Sequence, residues 1–363
     1  MNKTIFFLLA LPLIIYGNDA LIDLEFMHTM LLNNHPGVYN SEDPHFITHL
    51  NQAFAESSAK INNSSCPDEC CSLLTDFAKS FNDSHLRVSF NQCSTDNNPS
   101  PLKKRKPFYS ISLQDNIQWI SLPTFLPNDD EQKILNDIIA SLATMRSHKL
   151  IIFDVHGNGG GNSFWGKTIV ENLFGESYAT AMIDYTEKDT YVEWRASKDN
   201  IEYLKKLHLL FTAQNNINNE TVQWLTKTVN DLQQAYDQGL LLCRSNDSTP
   251  SIPSKNSGDN PVTAKIVVVT DKGCGSACLD FIDYLKAMQH DIILFGQPTG
   301  ADTVYMEVHT TDLPSKKGTF SFPMKVYRNR PRGNNVPYYP DITYRDDMND
   351  TAKLQQAILH FFL

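Results

Sequence analysis

The sequence predicts an α/β fold, with a helical segment first and a largely helical insertion inside the strand-and-helix layer. Three observations carry this. The apolar runs Leu150–Val155 and Lys265–Thr270, rich in β-branched residues, suit strands buried on both faces, as in a parallel sheet. Each run enters a glycine turn, His156-Gly-Asn-Gly-Gly-Gly-Asn162 and Asp271-Lys-Gly-Cys-Gly275. After each turn, apolar residues recur at helical spacing: Trp165, Ile169 and Leu173, then Phe281, Ile282, Leu285 and Met288. Strand, helix, strand, glycine turn, helix is the order of a parallel α/β layer.

The elements follow in order. Residues 1–20 read as a secretory signal, with Lys3 as the positive end, Ile5–Tyr16 as the apolar region and small residues over Gly17–Ala20. The run is short for a bilayer span, and an uncleaved anchor is the alternative. Residues 21–82 form a small helical domain, on the stripes Ile22/Phe26/Met27/Met30/Leu31, Phe46/Ile47/Leu50/Phe54 and Leu73/Leu74/Phe77/Phe81. His35-Pro36 ends the first helix. Residues 83–175 and 261–363 carry the core. Asp83–Phe90 begins as a turn and becomes an alternating strand, and further strands are Ile117–Leu122, Leu150–Val155, Lys265–Thr270, Ile292–Phe295, Val304–Val308 and Gly318–Tyr327. A helix around Ile134–Met145 starts near Asp129 and Asp130, and a last helix holds Leu354, Ile358 and Phe362. Residues 176–260 interrupt the alternation with two helical stretches, Leu204–Phe211 and Val222–Tyr236. An insertion of that size is often a lid over a site.

A net charge of −10 argues against a nucleic-acid partner, and the basic cluster Lys103–Lys106 has no interleaved aromatics and reads as a solvated loop. Seven cysteines in an exported chain imply disulfides and at least one leftover thiol, with connectivity open. Cys66, Cys70 and Cys71 lack a matching second pair, so no metal site is expected. Gly159–Gly161 lack the flanking pattern of a nucleotide site, and no cofactor is expected.

Ser276 stands between the buried run and the helix start. Two readings are open: it caps the helix, or it is a nucleophile beside the unpaired N–H groups of a helix N-terminus. Cys274 and Cys278 flank it and suit a structural or redox role better than a nucleophilic one.

Taken together, Asp83-Ser84-His85, Ile117–Pro123, Phe153–Gly160, Gly275-Ser276-Ala277, Gly296–Thr303 and Tyr339–Ile342 resemble peptidase family S41, the C-terminal processing and tricorn-type serine peptidases. The resemblance implies a crotonase/ClpP-like β/α core behind a helical N-terminal domain. It also implies Ser276 as nucleophile and oxyanion-hole N–H groups from Gly159 or Gly160 and Ala277. The stretch from His85 to Ile117 is too short for the PDZ domain many members carry. Ala301 stands where processing proteases place their lysine base, and Tyr305 where they place its supporting glutamine. The tricorn-like branch instead matches Ser84-His85, with His85 as base. Asn334 occupies the place of that branch's glutamate, with Asp302 and Glu307 as other acids, and His156 replaces a common arginine. The expectation is a secreted or periplasmic serine peptidase acting on peptides or proteins, without nucleic acid and without a membrane beyond export. The alternative is a non-catalytic binding protein on the same fold.

Overall fold

The structure is a computed structural model, and it describes residues 16–63, 67–91, 106–113, 116–213, 219–245 and 258–362. By its internal contacts the chain forms two compact units. One is residues 1–99 with 307–324, and the other is residues 100–306 with 325–363.

In the first unit, helices α1 (Tyr16–Asn34), α2 (Phe46–Asn63) and α3 (Pro67–Lys79) bury their apolar stripes around Leu24, Met27, Leu50, Leu74 and Phe77. The expected helical domain extends past residue 82, because strand β1 (Arg87–Phe90) and a returning strand close over the same core through Leu313, Phe320 and Phe322. β1 pairs antiparallel with residues 318–321 of that strand. Ala20 is buried in this core and Asp19 pairs with Lys317 at 3.1 Å, so the end of the expected signal segment is continuous with α1.

The second unit is built on a six-stranded sheet. Its strands are β2 (Tyr109–Ser112), β3 (Ile117–Ser121), β4 (Leu150–Asp154), β7 (Lys265–Thr270), β8 (Ile292–Gly296) and β11 (Ile342–Thr343). The order is β11-β8-β7-β4-β3-β2, with only the β2–β3 pair antiparallel. β7 shows why such a strand is an apolar run. Ile266 and Val268 face α4 (Asp129–Ser141), α5 (Ser163–Phe174) and α9 (Ala277–Ala287), while Val267 and Val269 face α10 (Thr351–Phe362). Asn128 caps α4 reciprocally with Glu131, which leaves Asp129 and Asp130 in its first turn.

The insertion holds α6 (Glu176–Thr186), α7 (Lys198–Ala213) and α8 (Asn219–Asp237), and also two strands, β5 (Tyr191–Arg195) and β6 (Leu242–Ser245). These pair with each other, and β5 pairs with residues 325–328 of β10 (Gly318–Arg328), which follows β9 (Tyr305–Asp312). Among the described residues no helix is long and apolar enough to cross a membrane.

The parallel order brings the turns after β4, β7 and β8 to the carboxyl ends of the strands, the edge where open α/β sheets place their sites. Hydrogen bonds tie them together: Gly275 N–H to the Asn158 carbonyl at 3.1 Å, and Gly300 N–H to the Cys274 carbonyl at 2.9 Å.

Candidate active site

Ser276 closes the β7–α9 turn with φ 54° and ψ −126°, a region that residues other than glycine rarely enter. Its side chain makes no capping hydrogen bond to α9. The capping reading of this serine is therefore set aside, and its backbone conformation needs another cause. The surrounding structure supplies one. Cys274 and Cys278, both fully buried, are joined by a disulfide that brackets Ser276. That bond also removes both sulfurs from nucleophilic use.

The second glycine turn fits against this one. A Cβ on Gly160 would lie 2.7 Å from the Gly275 carbonyl oxygen, 2.8 Å from Ser276 Cβ and 2.9 Å from Ala277 N. With φ at +93°, position 160 accepts only glycine without rearrangement. Asn158, fully buried, organises the junction: its Oδ1 accepts the Gly160 N–H at 2.9 Å and its Nδ2 donates to the Leu122 carbonyl at 2.9 Å. The Gly160 N–H is thereby occupied. The N–H groups of Gly159 and Ala277 make no hydrogen bond among the described residues. Ala277 begins α9, so its N–H also carries the positive end of the helix dipole. A half-buried hydroxyl beside unpaired backbone donors at a helix start can form an acyl intermediate and stabilise its oxyanion.

His85 lies in the first unit and Ser276 in the second. The Asp83 carboxylate, buried, accepts the His85 backbone N–H at 2.8 Å and lies 3.4 Å from His85 Nδ1. An acid beside the histidine is thus present within its own turn, far up the chain from Asn334, Asp302 and Glu307. Ser84 is exposed and its hydroxyl makes no hydrogen bond among the described residues. Asn334 is exposed, and its Oδ1 accepts the Val304 N–H at 3.0 Å. Asp302 is buried against two arginines, Arg330 and Arg332, each at 3.3 Å. Glu307 sits at φ 62° in the first unit.

A second charged group occupies the end of β4. His156 is hydrogen-bonded to the Asp154 carboxylate through Nδ1, and Lys106 Nζ lies 3.4 Å from the same ring nitrogen. Burial pushes the Asp154 carboxyl up to about 7 against the pull of Lys106, and burial lowers the Lys106 ammonium. Lys106 is therefore half-buried and engaged, not part of a solvated loop; Lys103, Lys104 and Arg105 lie outside the described residues. Among the described residues no grouping of His, Cys, Asp and Glu suits a metal ion.

The model of peptidase family S41 matches residues 116–343, most of the chain. The chain belongs to peptidase family S41. It is a serine peptidase of the S41 type, on the β/α core that the resemblance implied. Solved structures agree in fold. A peptidase from Parabacteroides merdae is 14% identical with a TM-score of 0.52, over 96% of this chain and 96% of that one. Mature CPAF is 14% identical with a TM-score of 0.56, over 94% and 96%. A serine-to-alanine mutant of CPAF is 12% identical with a TM-score of 0.59, over 92% and 94%. No curated protein sequence matches the chain.

Proposed function

We propose that this S41 peptidase is exported and hydrolyses peptide bonds through an acyl-enzyme on Ser276, with His85 as general base. The observation that carries the reading is Ser276 itself. It combines a costly backbone conformation, no capping bond, and two unpaired N–H groups beside it. His85 takes the hydroxyl proton as Ser276 attacks the scissile carbonyl, then delivers it to the leaving amine. Asp83, next to Nδ1, favours the tautomer whose Nε2 is basic, and it offsets the charge of the imidazolium that forms. The N–H groups of Gly159 and Ala277 receive the oxyanion, and water then hydrolyses the ester. Asp83 takes the role first sought at Asn334, whose side-chain oxygen is already engaged, and exposed Ser84 is left without a chemical part. The substrate is a peptide or a protein segment. The apolar run Ile5–Tyr16 and the Cys274–Cys278 disulfide support export to an oxidising compartment.

A double-variant kinetic experiment tests the pairing. Ser276→Ala and His85→Ala should each lower kcat by nearly the same large factor, and the combined variant should be little worse than either, because residues acting as a unit are not additive. Independent, multiplying losses would remove His85 from the mechanism.

A further inference from the structure

A cavity of about 320 Å³ lies inside the second unit, between α9 and the residues that lead from α6 to β5. From α9 come Asp280, Asp283, Tyr284 and Ala287, spaced i, i+3, i+4 and i+7 on one face of the helix, together with Lys286. Ser276 stands just before this helix, four residues ahead of Asp280 in the chain. The opposing wall includes Glu187, from the insertion, and the ring-bearing residues Tyr327 and Tyr338.

The charges of the lining, taken with Arg332 and Asp302, which pair with lining residues, do not cancel. Arg332, buried, is shared among three carboxylates: Asp280 at 3.1 Å, Asp283 at 2.7 Å and Asp302 at 3.3 Å. Arg330 is directed to Asp302 at 3.3 Å, and Tyr338 donates its hydroxyl hydrogen to Asp283. Two arginines thus face three aspartates. Glu187 then adds a fourth carboxylate; its side chain makes no hydrogen bond and no ion pair among the described residues, and Lys167, the cation whose charge acts on it, is paired with Glu171 at 3.6 Å. Lys286 lies on the exposed rim, 5.3 Å from the Tyr338 ring centre. Burial, with Asp280 and Asp283 adding to it, pushes the Glu187 carboxyl up to about 7, and burial pushes Asp283 up to about 6. The unpaired Glu187 carboxylate, in a cavity that Tyr284 also lines, matches a cation that also presents an apolar stem.

We infer that this cavity binds a single cationic group, an alkylguanidinium or alkylammonium such as an arginine or lysine side chain of the peptide substrate, with Glu187 as its counter-ion. The inference rests on the peptidase reading only for the source of the cation. It gives the insertion a function: it supplies the one carboxylate that the α9 network leaves unmatched. The insertion and the nucleophile's helix together then select the substrate.

Calorimetry on the full chain carrying Ser276→Ala, titrated with agmatine, tests the site without turnover. The expected result is saturable one-to-one binding, at least tenfold weaker in the Glu187→Gln variant, and none for the neutral isostere pentylurea. In the active enzyme, a peptide series with arginine replaced by citrulline at each position in turn should show one position where kcat/KM falls at least tenfold, and Glu187→Gln should erase that difference. Fluorophosphonate labelling of Ser276 should be the same in Glu187→Gln as in the unsubstituted protein, which shows that the variant is folded. Absence of agmatine binding, equal binding by pentylurea, or full binding in Glu187→Gln would overturn the site. Binding with no position sensitive to citrulline would overturn the peptide as its source. Loss of Ser276 labelling with agmatine binding intact would strike the peptidase reading alone.

Discussion

The turn that carries Ser276 and the turn that carries His85 are built by opposite means. Around Ser276 the backbone is held by covalent and steric constraint: a disulfide that brackets it, a glycine pressed against it, and main-chain hydrogen bonds to the neighbouring turn. Around His85 the Asp83 carboxylate accepts the backbone N–H of the histidine and faces its ring. The difference fits the demands of the roles proposed for each residue. A nucleophile in a costly conformation needs a rigid frame, because the strain persists only where the surroundings over-determine it. A base needs the right tautomer and a partner for its developing charge. The first turn is therefore vulnerable to added volume, and the second to lost charge.

Gly160→Ala should have the largest effect. Its new Cβ would press on the Gly275 carbonyl, Ser276 and Ala277 N at once, at a position already at positive φ. We expect about 1–3 kcal/mol of lost stability and a fall in kcat of roughly 10²-fold or more from misplacing the serine. Thermal unfolding with kinetics on the folded protein measures both, and an unchanged kcat would mean that the contact does not position Ser276. Asp83→Asn should follow. The amide oxygen can still accept the His85 N–H, so the turn survives while the charge is lost. A fall in kcat of roughly 10²-fold with unchanged KM and unchanged unfolding temperature is expected. A loss of kcat in Asp83→Asn with the unfolding temperature unchanged would confirm charge, and full activity in Asp83→Asn would refute it. The smallest effect belongs to the Cys274→Ala/Cys278→Ala pair. Hydrogen bonds from Gly275 and Gly300 still hold the turn, so we expect about a tenfold loss of kcat. A loss as large as that of Gly160→Ala would make the disulfide, and not the glycine contact, the principal constraint.

Much of this contrast was legible in the sequence, and for uneven reasons. Lys265–Thr270 runs apolar because both its faces are buried, and the Gly-Ser step after it marks the sharp turn before α9. Four features were not legible. Asp83 was quoted beside His85, yet a carboxylate two residues before a histidine reads as turn chemistry, and only the folded turn shows that it also faces the ring. Asn158 looked like one polar residue in a glycine loop, because its partners Leu122 and Gly275 are distant in sequence. Strands β2, β5 and β6 are four or five residues long, too short for alternation to stand out among polar connections, and tertiary pairing decides them. Glu187 is the extreme case. It is one acid among many along the chain, and it becomes notable only when folding sets it opposite Asp280 and Asp283.

The central claim is that Ser276 is the nucleophile. Fluorophosphonate labelling of the folded protein, followed by peptide mapping of the modified residue, tests it most directly. The account predicts a single stoichiometric adduct on Ser276, absent in Ser276→Ala and much slowed in His85→Ala. An adduct on another residue, or none on folded protein, would contradict it and leave a binding module on a peptidase fold.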